Sequence, residues 1–317
     1  MAALPSLRQL HYLVEVADKR NFRAAAEASF VTQSTLSAGI KELETFLGVE
    51  LVERDPRGVR LTAAGEEVTR RARTLLAAAQ DLVETAHAAG APLSGLFRLG
   101  VIPTIAPFLL SGVLSGLRHD YPGLKLYLRE DQTERLLEKL RAGELDAALI
   151  ALPFDTGELT VRPLFRDEFW FVARQDGRYA KSKEVLVRDL EPGSVLLLEE
   201  GHCLRDHAIA ACGARGDKAK AMVEATSLHT LIQMVEGGLG VTLLPELTLK
   251  AGILNGTQLI ARPFASQVPS RTVALVARPT GARAADVDLL AAFFEGHARK
   301  AASVRVPSRR KTRQQLN

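Results

Sequence analysis

The sequence predicts an α/β protein in three parts: a small helical N-terminal domain ending in a two-stranded wing, one long helix, and an α/β body of two subdomains. Three observations carry this. Apolar residues recur at helical spacing in successive short segments at the N-terminus. Residues 63–89 contain no proline and keep one apolar stripe throughout. Beyond residue 96 the pattern changes to short apolar runs alternating with amphipathic segments, as strands interleaved with helices require.

At the N-terminus, Leu7, Leu10, Leu13, Val14 and Ala17 share one face of a first helix, and the Ala-rich residues 21–28 form a second. After a tight turn, Thr32 is a good N-cap for a third helix whose apolar face is Leu36, Ile40, Leu43 and Leu47. Its other face carries Gln33, Ser34, Ser37 and Lys41. Gly48 ends that helix, and residues 51–61 read as a wing that turns at Pro56, Arg57 and Gly58. In the long segment, Val68, Leu75, Leu76, Ala79, Leu82, Val83 and Ala86 form the stripe. A helix leaving so small a domain buries such a stripe best against a copy of itself, so a dimer is expected. Residues 91–95, with Pro92, are the hinge.

Strands are expected at 96–102, 124–129 and 145–152, with helices at 105–119 and 133–142, giving a largely parallel sheet. A second set falls within 169–247 and includes apolar strands at 195–198 and 241–244. A strand at 272–277 and a helix at 287–297 return to the first subdomain. No internal repeat is evident.

With 317 residues and 47% hydrophobic content, the chain can bury real cores, which excludes disorder for its bulk. Residues 1–10 lack the features of a signal peptide, and no stretch approaches the roughly 20 apolar residues of a membrane span. The expectation is a soluble cytoplasmic protein with no membrane partner. The net charge of +4 misleads, because residues 299–313 supply seven bases and no acids. Without that tail the body is slightly acidic, so nucleic-acid binding must be argued from local placement. Two cysteines argue against a structural disulfide framework and are too few for a Cys-only zinc site; a bond between them would be transient. His11, His87, His119, His207, His229 and His297 are scattered without metal-ligand spacing, so no metal is expected.

Two helices joined by a short turn, the second opening on Thr32, Gln33, Ser34 and Thr35, suit DNA. Hydroxyl and amide groups at a helix N-terminus can meet base edges and phosphates, while Lys41, Arg54, Arg57 and Arg60 neutralise backbone charge. The same pattern also fits a solvated three-helix bundle. The runs Phe22 to Ala26, Val31 to Ser37, Ile40 to Glu44, Leu47 to Val49 and Leu61 to Gly65 resemble the winged helix-turn-helix of LysR-type regulators. Ser34 stands where many members have proline. The run Gly237 to Pro245 is similar to the family's effector-domain signature, so the resemblance covers residues 5 to about 297. It implies a periplasmic-binding-protein-like effector domain of two subdomains, double-stranded promoter DNA and RNA polymerase as partners, and a homodimer that usually forms a homotetramer. The expected division is 1–62 for DNA binding, 63–90 as linker helix, 91–95 as hinge, 96–165 with 269–298 as subdomain I, 166–268 as subdomain II, and 299–317 as a disordered tail.

Within the body, Glu199 to Asp206 with Cys212 nine positions after Cys203 resembles the redox segment of the hydrogen-peroxide-sensing OxyR subfamily. Val101 to Thr104, Gln132-Thr133 and Ala225 to Leu228 match as well. That resemblance implies a peroxidatic Cys203, a resolving Cys212, hydrogen peroxide as the signal with no cofactor, and a thiol reductant such as glutaredoxin or thioredoxin. Chemically, Cys203 lies between His202 and Arg205, near Asp206, where a strand hands over to a helix. Thr104 and Thr133, in loops after strands, are placed to orient peroxide, and Arg271 is a further contact. Taken as isolated residues, Cys203 and Cys212 also fit two small buried hydrophobes. Competing functions are a metabolite-binding regulator with incidental cysteines and a thiol peroxidase; the DNA-binding domain argues against an enzyme.

Overall fold

The computed structural model describes residues 4–55, 58–87, 92–191, 193–212, 224–266, 268–280 and 283–302; the side chains of Arg54, Asp55, Asp81, Glu84, Thr85, Ala86, His87, Ala211, Cys212, Ala301 and Ala302 lie outside that description. The fold is α/β, with an N-terminal helix-turn-helix domain ahead of a mixed-sheet effector domain. Two compact units result, the first made chiefly of the elements up to residue 87 and the second of most of the rest.

The first unit opens with α1 (Leu7–Lys19), α2 (Phe22–Ala28) and α3 (Gln33–Leu47). Each begins on a polar cap. Ser6 and Gln9 form a reciprocal capping box, Asn21 accepts from Arg23 and Ala24, and Thr32 accepts from the Thr35 N–H. Leu36, Ile40 and Leu43 of α3 pack with Leu10, Leu13 and Val16 of α1 in one core. Gly48 closes α3 in the left-handed conformation that glycine adopts without strain. The wing is β1 (Val52–Asp55) paired antiparallel with β2 (Gly58–Leu61), anchored by Glu44, whose carboxylate accepts the Leu51 and Val52 N–H groups. The expected turn at Pro56 and Arg57 lies outside the described residues. The long helix α4 (Ala63–His87) follows, leaving Leu75, Leu82 and Val83 exposed.

The second unit contains β3 (Gly95–Val101), α5 (Ala106–Asp120), β4 (Leu124–Glu130), α6 (Thr133–Arg141), β5 (Ala147–Leu152), β6 (Thr160–Arg174), β7 (Leu197–Leu198), α7 (Cys203–Cys212), β8 (Glu224–Ala225), α8 (Leu228–Glu236), β9 (Thr242–Pro245), α9 (Glu246–Lys250), β10 (Leu259–Arg262), β11 (Ser270–Ala277) and α10 (Ala284–Ala302). The strands expected at 96–102, 124–129 and 145–152 pair in parallel, but the sheet they belong to is mixed. Within the seven-stranded sheet the described parallel pairs are those of β3 with β4 and β5, whereas β11 and β6 join antiparallel. The cause is β6, whose 15 residues serve two regions: its first half pairs with β11 and its second with β9 and β10.

Two other expectations are adjusted. The apolar run 195–198 yields only the two-residue β7, paired with β8, while Val195 makes a single bridge to Val241. The last helix extends through Ala302, past the expected start of the tail. Arg299 pairs with Glu295 one turn earlier, and cations suit a helix C-terminus. The tail from residue 303 onward lies outside the described residues. Gly240 is required by contact: a Cβ there would meet the Ser194 carbonyl oxygen at 2.4 Å.

Candidate functional site

At the DNA-facing candidate, Gln33, Ser34, Thr35 and Lys41 are exposed and Ser37 is half-buried, opposite the packed face of Leu36, Ile40 and Leu43. The Thr32 hydroxyl lies 2.9 Å from that of Ser34 and 2.8 Å from that of Thr35, so part of its capacity serves the cap. Arg60 is exposed on β2. Arg57 and the Arg54 side chain lie outside the described residues.

The second candidate is a narrow crevice in the effector unit lined by Ile102, Pro103, Thr104, Gln132, Thr133, Gly201, His202 and Cys203. Cys203 is a free, buried thiol at the first position of α7. Thr104 follows β3, and Thr133 opens α6. Arg271, from β11, donates from Nη1 to the Thr104 hydroxyl at 2.8 Å and from Nη2 to its carbonyl at 3.1 Å. Sequence positions 104, 133, 203 and 271 therefore converge on one place.

Burial raises the Cys203 thiol above its ordinary pKa. The Arg271 charge, the nearby Thr133 hydroxyl and the Leu204 N–H oppose that rise, while Asp206 reinforces it. Thr133 is itself buried, and its hydroxyl makes no hydrogen bond of ordinary geometry. The crevice thus holds a thiol whose burial favours the neutral form and a hydroxyl with unused capacity, with the Arg271 guanidinium bonded to Thr104 of its lining.

His202, Arg205 and Asp206 are arranged differently from a simple basic flank around the thiol. Arg205 donates to the Leu198 carbonyl at 3.0 Å and pairs with Glu224, bracing the β7–β8 pair against α7. Burial pushes His202 below its usual pKa, partly offset by Glu199. Asp206 is exposed. The positive charge that acts on Cys203 comes from Arg271, while Arg205 turns its Nη1 to the Leu198 carbonyl and the Glu224 carboxylate.

Three site features were missed from sequence. Asp167, on β6, is fully buried and accepts from Arg271 Nε at 3.0 Å. His207, four residues after Cys203, faces the Pro153 carbonyl through Nε2 at 3.4 Å and leaves Nδ1 without a partner. Gly201 has φ +89°, and a Cβ there would meet the Gln132 amide at 2.7 Å, so glycine permits this close approach. Only the Gly201 turn had a local signal, its position two residues before Cys203. Cys212 ends α7, with its side chain outside the description.

Among the described residues no helix is long and apolar enough to cross a membrane, and no group of three or more His, Cys, Asp or Glu could hold a metal ion. Residues 7–66 match the model for the bacterial regulatory helix-turn-helix protein, lysR family, and residues 90–299 match the LysR substrate binding domain. The HTH-type transcriptional regulator EstR of Acinetobacter baylyi is 44% identical over 92% of this chain and 96% of its own length. The DNA-binding transcriptional dual regulator OxyR of Escherichia coli is 39% identical over 86% of this chain and 90% of its own. A full-length OxyR cysteine-to-aspartate variant from Pseudomonas aeruginosa superposes with a TM-score of 0.77 at 36% identity, covering 92% of this chain and 95% of that one. With its helix-turn-helix domain and its effector domain both matched, the chain belongs to the LysR family of bacterial transcriptional regulators.

Proposed function

We propose that this regulator is of the OxyR kind: it senses hydrogen peroxide through Cys203 and Cys212 and controls oxidative-stress genes. The observation that carries the reading is the crevice, where a buried thiol at a helix start meets Arg271, Thr104 and an unpartnered Thr133 hydroxyl. Peroxide is small, and both its oxygens donate and accept hydrogen bonds, which suits a guanidinium and two hydroxyls. Similarity to OxyR proteins over most of the chain supports the same reading.

In the proposed chemistry, the Cys203 sulfur attacks one peroxide oxygen, the O–O bond breaks, and the thiol proton leaves with the departing hydroxide as water. Cys203 becomes a sulfenic acid. The Cys212 thiol then attacks that sulfur, forming the disulfide and releasing a second water. A glutaredoxin or thioredoxin supplies the two electrons and two protons that restore both thiols. Burial keeps the resting thiol protonated, and Arg271 stabilises negative charge as it develops.

The reading extends to the rest of the molecule. The exposed polar face of α3 and the wing bind double-stranded promoter DNA, with Thr32 both capping and contacting. The exposed apolar residues of α4 form a homodimer, two of which assemble as a homotetramer, and RNA polymerase is the partner of the bound regulator. The protein works in the cytoplasm and is not an enzyme. Residues 1–62, 63–90, 91–95, 96–165 with 269–298, and 166–268 act as DNA-binding domain, linker, hinge and two regulatory subdomains.

Thiol mapping before and after about one equivalent of peroxide tests the proposal. The expected result is a Cys203–Cys212 link and an altered DNA footprint; two untouched thiols would reject it. One observation favours metabolite sensing instead: a pocket lined by Pro103, Pro107, Phe108, Leu228 and His229 adjoins the crevice. Under that reading a Cys203→Ser variant keeps its transcriptional response.

A further inference from the structure

Resting on the peroxide reading, the geometry points to Asp167 as a positioning residue that holds Arg271 against Thr104 and thereby sets the reactivity of Cys203. Asp167 and Arg271 stand directly opposite one another in the antiparallel register of β6 and β11. Both are buried, at 2% and 1% exposure. One carboxylate oxygen takes the guanidinium Nε, and Nη2 also lies 3.0 Å from it. The other oxygen accepts the Leu247 N–H at 3.0 Å, which fixes the carboxylate to the start of α9.

This leaves the opposite edge of the guanidinium for Thr104. A guanidinium only donates, so the Thr104 hydroxyl must accept from Nη1 and has its own proton available to another acceptor. Thr104 and Cys203 line the same crevice, so a peroxide bound there is placed to accept that proton. The hydrogen bonds of Asp167 run to Arg271 and Leu247, and it is not one of the residues lining the crevice. It acts through Arg271, as the counter-charge that makes a desolvated cation tolerable at that position. Without it the guanidinium is drawn towards water, and Cys203 loses both the nearby positive charge and the oriented hydroxyl.

The test compares full-length wild type with Asp167→Asn, which keeps size and an acceptor for Leu247, and with Asp167→Glu, which keeps the charge but displaces it by one methylene. Two rates are read at Cys203 by mass spectrometry: alkylation by iodoacetamide across pH, and oxidation by hydrogen peroxide. For Asp167→Asn the alkylation midpoint moves to higher pH, and peroxide oxidation slows at least about tenfold even at pH values where the thiol is ionised. Asp167→Glu gives an intermediate rate with the midpoint closer to wild type. Should Asp167→Asn fail to fold, the Asp167→Glu peroxide rate decides alone, and a wild-type value overturns the inference. An unchanged or lowered midpoint in a folded Asp167→Asn protein also overturns it, since a merely structural role would lower only the melting temperature. A wild-type Cys203 inert to peroxide would instead reject the underlying sensor reading, leaving the alkylation comparison to judge Asp167.

Discussion

Thr133 combines a structural cost with a chemical use. A buried hydroxyl without a partner costs roughly 1–3 kcal/mol of desolvation. Thr133→Val, close to isosteric, should therefore leave stability equal to wild type or raise it by up to about 1 kcal/mol in urea denaturation, while slowing Cys203 oxidation. Faster or unchanged oxidation would remove Thr133 from the site. His207 offers a pH prediction. Burial lowers its pKa from 6.5, with the Arg271 charge adding to this and the Pro153 carbonyl and Asp206 opposing; Phe169 packs nearby. The unfolded chain then binds more protons below pH 6.5 than the folded one. Its contribution is complete above that value and declines as pH falls towards the lowered folded pKa. Melting temperatures should drop on acidification from pH 6.5, and less steeply in His207→Gln; His202 contributes the same sign and remains in both proteins. Equal pH slopes would contradict this account.

Among the elements, α3 divides cleanly into a packed and an exposed face. Replacing Leu43 with Ala should cost about 2–5 kcal/mol, because it is wholly buried in the first unit's core. By contrast, Gln33→Ala combined with Ser34→Ala should weaken operator binding in gel-shift assays with little loss of stability, since both side chains are exposed. Lys41→Ala should lower the salt slope of binding by about one unit if it contacts a phosphate. A double variant that binds as wild type would dismiss this face as the DNA contact. These helices were legible because their determinants are local: polar caps at Ser6, Asn21 and Thr32, and apolar spacing between them. The full extent of β6 was not, because Arg162, Pro163, Arg166, Asp167 and Glu168 break up the apolar pattern of its first half, and its pairing with β11 stabilises it.

For the whole molecule, the position of both cysteines in α7 makes the proposed disulfide a conformational event. Nine residues at helical rise separate them by roughly 13 Å along the axis, against a disulfide Cα separation of about 4.4–6.8 Å. Oxidation must unwind or refold α7, which carries Leu204 and Ala208 in the effector core and His207 against Pro153. Such a refolded segment would alter subunit packing and the spacing of DNA-binding domains. Hydrogen exchange over residues 200–225 and the DNA footprint should both change between reduced and oxidised protein. A confirmed Cys203–Cys212 bond with neither change would sink the switch.

What the sequence alone determined was the α/β class, the helix-turn-helix with its polar helix face, and the resemblance that singled out Cys203 and the runs holding Thr104 and Thr133; Arg271 was a weaker candidate contact. Those features rest on caps, periodicity and motifs within a few residues of one another. Tertiary structure decided which charge serves the thiol. Arg205, two positions from Cys203, is drawn to Leu198 and Glu224, whereas Arg271 arrives from a distant strand with a counter-ion 104 positions earlier in the chain. No local pattern encodes that arrangement, because the register of two antiparallel strands sets which side chains stand opposite one another, and the register follows from burial of the whole sheet.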